Sequence, residues 1–156
     1  MKNSELEFHH FPAGSPAFLR RAAKAVLKAE SGAAAARVCF VMVSDKTIKK
    51  LNRRFRGVKR ITDVISFRFS KKPLTGDIYI SKGRSRKQAA ACGNTWKEEL
   101  CYLVLHGMLH LFDYTDYKPL ERRKMFAVQD RLFGRLKIVA EPQQSPITTI
   151  KKQRLR

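Results

Sequence analysis

The sequence predicts a small α+β domain, a mixed sheet of about four strands packed with about five helices. Three observations predict it. Short β-branched and apolar runs such as Arg37–Val43 (RVCFVMV) alternate with longer segments whose apolar residues recur at helical spacing. Capping residues mark the helix ends. The connections are short, as in one compact unit. A chain of 156 residues can bury a core without staples, and the expected division is one domain over residues 1–140 and a basic, weakly ordered tail over residues 141–156.

Each element has its own warrant. Leu6 and Phe8 alternate with Glu5 and Glu7, as in a first strand. Ser15-Pro16 reads as an N-cap followed by proline at the first helical position, opening an Ala-rich helix that ends near Gly32. Arg37–Val43 is a buried strand. Ser44 caps the next helix, with Ile48, Leu51 and Phe55 on its inner face and Lys49, Lys50, Arg53 and Arg54 outward, and Gly57 follows it. Asp63–Phe69 and Asp77–Ile80 are two more strands, joined by a hairpin loop over Lys71–Gly76. Ser81 caps a basic helix ending near Gly93, and Thr95–Glu98 is a capping box that opens an apolar helix to about Phe112. Pro119 starts a last helix with Leu120, Met125, Val128 and Phe133 at apolar positions.

The charge is unusual. Thirty-three Lys and Arg against 13 Asp and Glu leave a net +20, which favours polyanionic partners: RNA, DNA or an acidic membrane surface. Three cysteines with no C-x-x-C pair argue against a disulfide framework. No apolar signal core follows Met1-Lys2, and no stretch approaches the ~18 apolar residues of a membrane span, so a cytoplasmic protein is expected.

The chemistry concentrates at Leu105-His106-Gly107-Met108-Leu109-His110-Leu111-Phe112-Asp113-Tyr114-Thr115-Asp116. Histidines four apart share one helix face, which suits two ligands on one Zn²⁺. A metzincin-type H-x3-H-x5-H site ends its helix after the second His, turns at a residue with positive φ, and returns a third ligand six positions on. That offset gives Asp116, and the turning position is Asp113, a residue type that tolerates left-handed backbone. The competing interpretation is a pair of core histidines. His9 and His10 compete as third ligands, but an adjacent pair on a strand points to opposite faces, and exposed polar residues are expected there. The general-base Glu of H-E-x-x-H peptidases is absent, its position being Gly107, which counts against a peptidase. A metal and a nearby cation suit phosphodiester cleavage, and RNA adds a 2′-hydroxyl that can itself attack.

Residues 49–60 are cationic without one acid, and Lys82, Arg84, Arg86 and Lys87 add a second basic stretch. Arginine matches phosphate through bidentate bonds. Arg53, Arg54, Lys59, Arg60, Lys82, Arg84 and Arg86 are therefore the expected nucleic-acid-binding residues, against the alternative of a merely solvated helix face.

His106-Gly107-Met108-Leu109-His110-Leu111 resembles the H-G-x-L-H-L start of the YbeY family pattern H-G-x-L-H-L-x-G-Y-D-H. Leu51-Asn52 with Arg56 is similar to the family's L-N-x-x-x-R block. Thr62-Asp63-Val64-Ile65-Ser66-Phe67 is similar to T-[DN]-V-L-S-F, and Gly76-Asp77-Ile78 to G-D-I. The resemblance spans roughly Val38–Phe133. It implies a metal-dependent, single-strand-specific endoribonuclease of rRNA maturation and ribosome quality control, with one Zn²⁺ per chain on a helix-borne site. Ribosomal RNA or other single-stranded RNA would be the substrate, with the ribosomal subunit or its proteins as partners. Carried over by motif, His106 and His110 are zinc ligands, Asp116 falls on the family's third His, and Arg56 on an arginine that engages substrate phosphate. The chain departs at Asp113, Thr115 and Asp116, and the extra negative charge would make a metal-bound water less acidic than a site of three histidines would. An RNA-binding module with a structural metal and a zinc hydrolase of another class are the competing functions.

Overall fold

The computed structural model describes residues 3–32 and 34–136. Nine elements follow one another: β1 (Glu5–His9), α1 (Ser15–Ser31), β2 (Ala36–Val43), α2 (Asp45–Arg56), β3 (Val64–Lys71), β4 (Leu74–Ser81), α3 (Lys82–Cys92), α4 (Trp96–Leu111) and α5 (Pro119–Arg135). The fold is mixed α+β, as the sequence predicts. The expected tail lies outside the described residues. Among the described residues no helix is long and apolar enough to cross a membrane.

The sheet order is β1-β2-β4-β3. β1 and β4 flank β2 in parallel, and β3 runs antiparallel to β4. Period-2 alternation sends Val38, Phe40 and Met42 of β2 and Ile78 and Ile80 of β4 into the core. Leu19, Ala22, Ala23 and Val26 of α1 join the same core cluster. α4 lies at its centre and is apolar all round, the pattern of a fully buried helix. Leu103, Leu105 and Met108 are wholly inaccessible, and each contributes roughly 1.5–3 kcal/mol of transfer free energy. The Thr95–Glu98 capping box fixes the start of α4, so the buried helix delivers its C-terminal turn to a defined place.

Several expectations are corrected. Gly14, at φ 82°, is the N-cap of α1 rather than Ser15, whose hydroxyl instead donates to Pro12 O at 2.6 Å. Phe55 is not on the inner face of α2: it is 57% exposed and meets Phe67 edge-on, while Asn52 is buried and donates to Arg60 O. Leu120 stands on the open side of α5, 70% exposed. The hairpin loop shrinks to Lys72-Pro73, because backbone pairing continues through Ser70, Lys71, Leu74 and Thr75.

Candidate active site

His106 and His110 leave the last turns of α4 on one face, with ring centroids 4.6 Å apart and planes at 86°. Each ring is oriented through Nδ1. Gln129 of α5 is wholly buried, and its Nε2 donates to Tyr102 O at 3.0 Å. Its Oε1 is thereby left to accept from His106 Nδ1, also at 3.0 Å. His110 Nδ1 faces the carbonyl of Tyr114 at 2.9 Å, and a carbonyl can only accept. Both protons are thus assigned to Nδ1 by their partners. Both Nε2 atoms turn toward the same point, 3.0 Å apart. Two imidazole nitrogens that close call for a cation or a shared proton between them.

The turn after α4 supplies the third donor. Asp113 adopts φ 70°, and Tyr114 N and Asp113 N donate back to Leu109 O and His110 O, a Schellman closure. Aspartate adds what glycine could not. Its carboxylate accepts from Arg68 Nη1 at 2.8 Å and Lys71 Nζ at 3.1 Å, tying the turn to β3. Lys71 foremost, then Arg68, holds that carboxyl below the usual range. Tyr114 donates its hydroxyl to Glu30 at 2.8 Å. The chain then brings Asp116 Oδ2 to 3.5 Å from His106 Nε2.

One donor atom from each of His106, His110 and Asp116 lies within 4.8 Å of the others. Two imidazoles with their second nitrogens anchored, plus one carboxylate, match the donor set of a three-ligand zinc site. The electrostatics agree. Interaction with His106 holds the Asp116 carboxyl down at about 2. Burial opposes charging of His106, but Asp116, Asp63 and the Gln129 contact outweigh it and raise its pKa. Burial and then neighbouring His106 push His110 down to about 4.

These donors open onto a cavity of about 840 Å³. Arg56, Arg60 and Arg84 line it, together with Thr62, Asp63 and Gln88. Arg56 is close enough for its charge to lower the His110 pKa further. The other basic residues singled out in the sequence do not line this cavity. Arg54 lies over the ring of Phe55, and Arg86 over Trp96 at 4.3 Å. Arg53, Lys59 and Lys82 are exposed elsewhere. His9 and His10, exposed as expected, are not among the donors of this site.

Gly107 explains why no general base follows the first histidine. A Cβ there would stand 2.8 Å from Ile78 Cγ2 and 3.2 Å from Ser66 Oγ, and that hydroxyl donates to Gly107 O at 2.8 Å. The position faces the sheet, so no side chain from it reaches the cavity.

Two contributors escaped the sequence reading. Gln129 is a polar residue on the inner stripe of Met125, Leu132 and Phe133, and that interruption of the stripe was its signal. Asp63 stood inside a recognised block without an assigned role.

A family model described as Endoribonuclease YbeY matches residues 7–137. The chain belongs to the YbeY endoribonuclease family. Among curated YbeY proteins, the one from Endomicrobium trichonymphae is 50% identical over 131 residues, covering 84% of this chain and 92% of that protein. The one from Pelotomaculum thermopropionicum is 39% identical over 129 residues, covering 77% and 85%. The solution structure of TM1509 from Thermotoga maritima is similar at 26% identity and a TM-score of 0.61, covering 90% of this chain and 99% of that one.

Proposed function

We propose that this YbeY family member is a zinc-dependent, single-strand-specific endoribonuclease acting in rRNA maturation and ribosome quality control in the cytoplasm. The observation that carries the metal-dependent reading is the pair of Nε2 atoms 3.0 Å apart, with Asp116 beside them, at the wall of a cavity shared with three arginines. The relatives' names supply the reaction class.

His106, His110 and Asp116 hold the ion in this reading. A bound zinc ion supplies Lewis acidity and acidifies water at an open position. Among the described residues no fourth His, Cys, Asp or Glu joins this group, and the cavity faces it instead, which favours an open site over a closed structural one. Arg56 engages the scissile phosphate and neutralises its developing charge. Arg60 and Arg84 flank the phosphate inside the cavity. Arg53, Arg54, Lys59, Lys82 and Arg86 attract the flanking RNA from outside it.

The test is cleavage of one labelled RNA as a single strand and as a duplex, by chelator-stripped protein with and without added zinc. Zinc-restored cleavage confined to the single strand is expected. Arg56→Ala should lower it by about 10²–10³-fold with zinc content unchanged. Equal cleavage of the duplex, no restoration by zinc, or loss of metal in Arg56→Ala would each overturn the reading.

A further inference from the structure

The open face of the sheet carries a second cluster of metal-ligating side chains, far in sequence from the first. Glu7 and His9 are two residues apart on β1 and so project to the same face. β1 pairs in parallel with β2, where Cys39 is the register partner of Glu7. A carboxylate oxygen, an imidazole nitrogen and the thiol sulfur from these three lie within 4.8 Å of one another. His9 Nε2 already faces Glu7 Oε2 at 3.1 Å. On the next strand Asp77 is the register partner of Cys39, and Glu7, Cys39 and Asp77 line one cavity of about 230 Å³. The nearby cation, Arg37, is engaged by Glu5, Nε to Oε2 at 2.7 Å.

A Glu–His contact on a solvated strand is ordinary. A thiol in the same cluster and a second carboxylate lining the same cavity are less so in a chain with 33 cationic residues and 13 acidic ones. Tetrahedral zinc takes sulfur at about 2.3 Å and nitrogen or oxygen at about 2.0–2.2 Å. Ligand atoms within 4.8 Å of one another must draw in by side-chain rotation to share one ion, and Glu7 and His9 are both exposed.

We propose that Glu7, His9 and Cys39 form a second binding site for a thiophilic divalent cation, with zinc the expected ion and Asp77 lining the same cavity. The site links edge strand β1 to β2 through side chains, in addition to their backbone ladder. Binding requires the thiolate. Capture of the ion by the thiolate releases the thiol proton.

The proposal is independent of the endoribonuclease reading and can be tested apart from it. Cobalt(II) bound by a thiolate gives a near-ultraviolet charge-transfer band, which a site of two histidines and one aspartate cannot give. The remaining cysteines, Cys92 and Cys101, are both buried. Chelator-stripped full-length protein titrated with cobalt should bind two equivalents per chain, one of them with the band. Cys39→Ser should lose the band and one equivalent while keeping the other. His106→Ala/His110→Ala should keep the band and lose the other. A wild-type stoichiometry of one without the band, or a band that survives Cys39→Ser, overturns the second site. A wild type that binds one equivalent with the band upholds this site and counts against the first.

Discussion

His106 and His110 present their Nε2 atoms to each other at 3.0 Å, while a different acceptor occupies each Nδ1. Two ligands at about 2.0–2.1 Å on a tetrahedral ion would stand only slightly farther apart. The acceptors come from separate parts of the chain, Gln129 on α5 and the Tyr114 carbonyl in the turn after α4. The ring orientations are therefore set by groups beyond the helix, one on a packed neighbour and one in the adjoining turn.

Gln129→Leu tests that orientation. The substitution keeps volume but removes the acceptor for His106 Nδ1–H. Zinc affinity, measured by competition with a chromophoric chelator, should fall about 10–100-fold while the far-UV spectrum stays native. Gln129→Glu keeps an acceptor and should bind far better than Gln129→Leu. Equal affinities in the two variants would show that the contact does not tune the ligand.

The pKa shifts fix how metal affinity depends on pH. His110, at about 4, and Asp116, at about 2, carry no competing proton at neutral pH. His106, raised above its ordinary 6.5, is the ligand whose proton competes longest as pH rises. Below the raised His106 value one proton must leave as the ion enters, so affinity should rise about tenfold per pH unit there and level off at a pH above about 6.5. In the metal-free protein the His106 contribution to stability is present below its unfolded pKa and is lost as pH rises through the raised folded value. Asp116 behaves oppositely: its contribution is present above the ordinary carboxylate pKa and is lost as pH falls toward about 2. Levelling below pH 6, or a two-proton slope, would contradict the assignment to His106.

Asp116→His would present three neutral imidazoles at this site. With less negative charge on the metal, bound water should be more acidic and the pH profile of RNA cleavage should move to lower pH. Asp116→Asn removes the charge and should lose most of the metal. An unchanged pH profile for Asp116→His would mean that the residue does not reach the ion.

Gly107→Ala sets helix propensity against sterics. Alanine is worth up to about 1 kcal/mol in a helix interior. Here its Cβ would lie 2.8 Å from Ile78 Cγ2 between packed layers, which costs about 1–3 kcal/mol. The expected result is a Tm lower by several degrees in a thermal melt of stripped protein. A Tm at or above wild type would show that the helix lifts off the sheet at no cost.

Much of this architecture was legible because its signals are local. Ser44, Ser81 and Thr95 cap the helices that the sequence assigns to them, each accepting a backbone N–H. The left-handed turn at Asp113 and the return of Asp116 followed from the spacing of residues within one short segment. What escaped is non-local. Asn52 rather than Phe55 faces inward on α2, because a buried amide finds the Arg60 carbonyl in the loop beyond the helix. Gln129 reaches His106 across 23 residues, and Cys39 meets Glu7 only through strand pairing. No periodicity within one element reveals such partners.

In the proposed function His106, His110 and Asp116 together hold one metal ion. The most direct measurement of this is metal content by mass spectrometry on untagged protein, comparing wild type with His110→Ala, Asp116→Ala and Cys39→Ser. His110→Ala and Asp116→Ala should each lack one equivalent that wild type and Cys39→Ser retain after zinc loading. Full zinc content in Asp116→Ala, or no zinc at this centre in the Cys39→Ser protein, would contradict this ligand assignment.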